Sequence, residues 1–92
     1  MKKQRTHIKE KIADAVALPK DITLNLPKVT LYGSKEIYIE NYKGIIEFSE
    51  EVVRVNTSVH IIKITGKNLI LKNITDEEIL FSGEILHVEF TY

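Results

Sequence analysis

The sequence predicts a mainly β domain preceded by a basic amphipathic helix. Two changes of rhythm carry that reading. Over residues 5–17, Ile8, Ile12 and Val16 fall at i, i+4 and i+8, the period of one helix face. After Pro19 the apolar period drops to two, as in half-buried strands. A third observation is punctuation. Turn-forming residues recur at Gly33, Asn41–Gly44, Gly66–Asn68 and Gly83, bounding short runs as in an all-β fold.

The helix is predicted over residues 5–17. Ala13, Ala15 and Ala17 are good helix formers, and Lys9, Glu10, Lys11 and Asp14 fill the polar face. Pro19 ends it, because proline disfavours the α conformation at the preceding Leu18. The chain thus divides into a helix at 1–17, with residues 1–4 frayed, and a single β domain at 18–92. Within that domain Ile22–Leu26 alternates until Pro27, which suits an edge or a bend. Val29 and Leu31 form the next run, then Ile37 and Ile39. Asn41-Tyr42-Lys43-Gly44 reads as a hairpin connection, with Gly44 placed for positive φ. Ile46 and Phe48, Val53 and Val55, Ile62 and Ile64, Leu69 and Leu71, Ile79 and Phe81, and Leu86, Val88 and Phe90 complete the set.

This pattern predicts a small antiparallel β meander forming a sandwich or roll. A short β-solenoid is the alternative. The four glycines fall at 33, 44, 66 and 83, which is no fixed period, and so weigh against it. Ile37, Ile39, Phe48, Ile62, Ile64, Leu71, Phe81, Val88 and Phe90 are the expected core. Val59 and Ile61 oppose Ile62 and Ile64, and Leu69 and Leu71 oppose Ile70 and Ile74, so two strands are apolar on both faces. Such strands need cover on both sides. The N-terminal helix or a second subunit would supply it.

Length and composition bound the function. A chain of 92 residues makes one domain with one modest core. Its 43% hydrophobic and 28% charged content is that of a globular protein. Cysteine is absent, which removes disulfides, thiolate zinc sites and thiol nucleophiles, and favours a reducing compartment. No apolar run reaches membrane-span length, and no apolar segment follows the basic start as a signal peptide would require. Net charge is zero but unevenly placed. Residues 1–20 hold six Lys or Arg against two acids, and residues 21–92 hold seven against eleven. Such a basic head would dock on its own acidic body or touch an anionic surface, with Lys2, Lys3 and Arg5 as the contact residues. The acidic body argues against nucleic acid.

The side chains that could carry chemistry form no motif. His7, His60 and His87 have no metal-ligand spacing, so no metal or other cofactor is expected. Glu50-Glu51 and Asp76-Glu77-Glu78 lie between strands, where carboxylates are ordinarily solvated, and Thr75 is placed to cap a short helical turn. Gly66-Lys67 lacks the glycine at 61 and the hydroxyl at 68 of a phosphate loop. Tyr32, Tyr38 and Tyr42 alternate with the core-facing residues of neighbouring strands. They are candidates for a partner-binding face, since tyrosine is enriched at interfaces, or for a second core layer under the helix.

Several segments together resemble a known family. Leu18-Pro19, Asn25-Leu26-Pro27-Lys28-Val29-Thr30-Leu31-Tyr32-Gly33, Ile37-Tyr38-Ile39-Glu40-Asn41-Tyr42-Lys43-Gly44 and Phe48-Ser49-Glu50 stand in order. Ile64-Thr65-Gly66-Lys67, Glu77-Glu78-Ile79-Leu80 and Gly83-Glu84-Ile85 follow. Over about residues 18–90 this is similar to the YabP/YqfC family of sporulation proteins, and more to its YqfC branch. The resemblance implies an endospore-forming bacterium and action in the mother-cell cytoplasm during spore morphogenesis. It also implies a place beside a membrane protein, with at most peripheral contact at the forespore envelope. It brings no catalytic residues. The expected function is a non-enzymatic binding or assembly module with a protein partner, a homo-oligomer included. The alternative is a small-ligand binder or enzyme in which Glu50, Glu51, His60 and His87 converge in a pocket.

Overall fold

The computed structural model describes residues 24–92, which form one open antiparallel sheet of six strands with no helix among them. The strands are β1 (Lys28–Tyr32), β2 (Glu36–Glu40), β3 (Gly44–Phe48), β4 (Val52–Asn56), β5 (Ile61–Ile74) and β6 (Glu78–Thr91). The predicted helix and the 17/18 boundary lie outside the described residues. Strand order in space is β1-β2-β6-β5-β4-β3, and every ladder is antiparallel, which excludes the parallel β-solenoid. The order also departs from the predicted meander, because β2 and β3 are not neighbours.

Asn41–Gly44 is therefore a crossover and not a hairpin. Gly44 does not have positive φ; Asn41 does, at 61°. The Asn41 amide side chain donates to Asn25 Oδ1 (3.1 Å) and to Leu26 O (3.0 Å), which holds the incoming chain against this corner. Asn is among the residues that tolerate the left-handed region. The segment 24–27 is likewise not a strand, and Leu24 is exposed.

The long β5–β6 hairpin is strongly bent. A straight strand of 14 residues would run about 45 Å at roughly 3.3 Å per residue. Yet the Asn41 N–H donates to Glu77 O at the hairpin tip, and the Lys43 N–H donates to Asn56 O, beside Ile61 at the opposite end. Two residues of chain reach only about 7 Å. The hairpin must fold over for those two bonds to coexist. Its bend lies where the β5–β6 register shifts, between Thr65 and Gly66 and between Lys67 and Ile70. Gly66-Lys67-Asn68 and Gly83, expected as turns, are this bend within continuous strands. Gly83 has φ 139° and Asn68 φ 53°. The true tip is Thr75–Glu77, where Thr75 Oγ1 accepts the N–H groups of Glu77 (3.3 Å) and Glu78 (3.0 Å). Thr75 caps as expected, but a β turn and not a helix.

Folding over gives one core from both ends of the hairpin. Ile37, Ile39, Ile79 and Phe81 come from the β2 end; Val53, Val55, Ile62 and Ile64 come from the β4 end. Leu69 and Ile85 fill the bend, while Val29, Tyr42, Leu71 and Val88 pack at the margin. Phe48 and Phe90 depart from expectation, at 48% and 52% exposure. Both face the core side, Phe48 opposite Val53 and Phe90 opposite Ile62, but among the described residues no strand lies beyond β3 or beyond the Phe90 stretch of β6. Alternation fixes the face and not its cover.

Candidate interaction surface

The three tyrosines do not form one face. Register places Tyr38 opposite Thr30 and Tyr32 opposite Glu36, so Tyr32 and Tyr38 share the side of the sheet away from Ile37 and Ile39. Tyr32 is exposed and Tyr38 half-buried. Tyr42 lies in the crossover instead. Its ring packs against the core and its hydroxyl donates to Thr75 O at 2.6 Å. It is a structural strut, and the expected grouping of Tyr42 with the other two is corrected. Lys2, Lys3 and Arg5 lie outside the described residues, as does His7.

The groups that would make a catalytic pocket are spread out. Glu50 and Glu51 occupy the β3–β4 turn, where their backbone carbonyls accept the N–H groups of Leu69 and Gly66. Ser49 Oγ organises that turn by accepting from Glu51 and Val52 N–H. His60 stands at the entry to β5, with its ring 4.6 Å from Phe90 and 5.8 Å from Tyr92. Its Nδ1 is buried without a partner among the described residues. His87 is exposed on β6, opposite Thr65. None of the three clefts of about 620, 590 and 440 Å³ is lined by any of these four residues. The first is walled by Glu40, Asp76, Glu77 and Glu78 around Asn41 and Lys43. Among the described residues no three His, Asp or Glu side chains come together as a metal site.

Strand margins are the more prominent feature. β2 covers β6 over Glu78–Ser82, and the turn residues Lys35 and Ser34 extend that cover by accepting the N–H groups of Gly83 and Ile85. Beyond Ile85, among the described residues, β6 has β5 on one side and no strand on the other. On β5, cover from β4 and its preceding turn stops at Leu69. Periodicity did not reveal these margins, because it cannot say which strands pair. The signal present in sequence was the run of strands too long for their neighbours, hidden by the glycines within them. The surface ion pairs Lys28–Glu40, Arg54–Glu47, Lys63–Glu89 and Lys72–Glu36, at 3.2–4.0 Å, lie across the outside of the sheet and contribute little each. No helix among the described residues is long and apolar enough to cross a membrane.

Comparison with known proteins places this sheet in a family. Residues 25–92 match the YabP family, covering all six strands. The uncharacterized protein YqfC of Bacillus subtilis (strain 168) is 38% identical over 85 residues, which span 92% of this chain and 91% of that protein. No solved structure matches the chain. With the family match running through the whole described domain and the YqfC likeness extending beyond it, the chain belongs to the YabP family.

Proposed function

We propose that the protein is a non-enzymatic binding or assembly module of spore morphogenesis, acting in the mother cell beside a membrane protein at the forespore envelope. Family membership, with 38% identity to a Bacillus protein, is the observation that carries this reading. The architecture supports it. The folded-over hairpin leaves sheet margins uncovered among the described residues, and unpaired backbone at a sheet edge is a ready template for another chain. The basic N-terminal segment supplies peripheral attraction to an anionic membrane, strongest at low salt.

A fluorescent fusion expressed from its own promoter in a sporulating host tests the reading. The expected signal appears after the onset of sporulation, in the mother cell, concentrated around the forespore. Signal in vegetative cells or inside the forespore overturns it.

A further inference from the structure

Four margins of the sheet face outward among the described residues: the outer sides of β1 and β3, residues 70–74 of β5 and residues 86–91 of β6. Three carry devices that discourage pairing. β1 begins with the exposed Lys28. β3 is bulged between Ile45 and Glu47. The β5 margin holds the exposed Lys72 and a register shift between Leu71 and Asn73. The β6 margin, Leu86-His87-Val88-Glu89-Phe90-Thr91, has no lysine, arginine or proline. Its register is irregular only at Leu86 and runs unbroken from His87 to Thr91. Val88, half-buried, and Phe90, 52% exposed, lie on its core-facing side, while Leu86, at the register shift, is also 52% exposed. On its other side His87 and Glu89 are exposed.

We propose that Leu86–Phe90 pairs antiparallel with the same segment of a second copy, about a two-fold axis through Val88. This rests on the binding-module reading above and names its partner. An isologous contact needs a self-complementary strand, and this one is. With Val88 at the axis, Leu86 lies opposite Phe90 of the second copy and His87 lies opposite Glu89 of the second copy, each twice by symmetry. Apolar cross-strand pairs stabilise a ladder, and so does an imidazole placed across from a carboxylate to which it can donate. A register centred on Glu89 would oppose two carboxylates, and one centred on His87 would set Ile85 against Glu89. The His60 ring, 4.6 Å from Phe90, holds that ring in place before the second copy arrives. Pairing continues the sheet from one copy into the next and covers the two apolar side chains that β6 leaves open.

Sedimentation velocity of the full chain across the micromolar range tests this. The expected result is a concentration-dependent dimer. His87→Glu sets a new carboxylate against that of Glu89 twice and weakens the dimer about tenfold or more. The double variant His87→Glu/Glu89→Lys sets opposite charges in both pairs and recovers it. Leu86→Lys, which sets an ammonium against Phe90, weakens it independently. Circular dichroism melts show which variants are folded. A wild-type chain that stays monomeric overturns the proposal, as does a dimer indifferent to both His87→Glu and Leu86→Lys. A monomer whose fusion still surrounds the forespore overturns the self-pairing alone. A β6-edge dimer whose fusion lacks that pattern overturns only the cellular reading.

Discussion

A β-carbon on Gly66 would lie 2.1 Å from the backbone carbonyl oxygen of Glu84. Gly66 pairs with Ile85 across the bend of the β5–β6 hairpin, and the carbonyl of the adjacent Glu84 fills the space a side chain at 66 would need. The blocking atom belongs to the backbone, so it cannot rotate away. Bending a sheet this sharply needs a bulge and a glycine at the close approach.

Gly66→Ala is therefore expected to open the bend and cost about 1–3 kcal/mol, as overpacking does. A shifted urea midpoint measures it. An unchanged midpoint would mean that the strands separate freely there.

Gly44→Ala should behave in the opposite way. Its φ is not in the left-handed region, and nothing lies within 4 Å of the added β-carbon. Alanine reduces the freedom of the unfolded chain and is expected to stabilise by about 0.4–1 kcal/mol. The same denaturation experiment checks the sign. Destabilisation by about 1 kcal/mol or more, the cost of a β-carbon at positive φ, would restore the hairpin reading that the strand order displaces.

Ile64 lies in the middle of the shared core, fully buried, opposite Val53 on one neighbour and Val88 on the other. Ile64→Ala is expected to lose about 2–5 kcal/mol through lost burial and a residual cavity. Thermal and denaturant unfolding both report it. A loss below about 1 kcal/mol, far under that range, would show that the two ends of the hairpin do not pack on one another through this residue.

The core was legible in the sequence because one local rule decides it. Ile37, Ile39, Ile62, Ile64 and Phe81 were expected in the core and are buried, while Leu71 and Val88 are half-buried at its margin; Val53, Val55 and Ile79, read only as strand positions, are buried by the same alternation. The connections were not, because two structures share one local signature. Asn41-Tyr42-Lys43-Gly44 has the chemistry of a hairpin turn, but a crossover uses the same residues, and the difference lies in whether β2 pairs with β3 or β6. Glycines at 66 and 83 punctuate a turn or a bend equally well. Phe48 and Phe90 have the parity of core residues, yet their exposure depends on strands that are not beside them. The margin of β6 was not legible, because periodicity does not say which strands pair or where one outruns its neighbour. Its self-complementary order, Leu-His-Val-Glu-Phe, becomes meaningful once residues 86–90 are known to have β5 on one side and, among the described residues, no strand on the other.

Tyr42 separates a structural tyrosine from a surface one. Its hydroxyl donates to Thr75 O at 2.6 Å, joining the crossover to the tip of the folded hairpin, while its ring seals the edge of the core. Tyr42→Phe keeps the ring and removes the bond, for an expected loss of about 0.5–1.5 kcal/mol. Tyr42→Ala also uncovers the core margin and costs more. Tyr32 is 55% exposed at the end of β1, away from the core. Tyr32→Ala is expected to stay within about 0.5 kcal/mol of the parent, as surface substitutions do. Urea midpoints of the three variants test the ordering. If the β6 margin is where copies meet, none of the folded variants changes the dimer in sedimentation. A dimer weakened by Tyr32→Ala at unchanged stability would move the contact from β6 to β1. A Tyr42→Ala chain as stable as the parent would mean that the crossover is held without its tyrosine, by contacts such as those of Asn41.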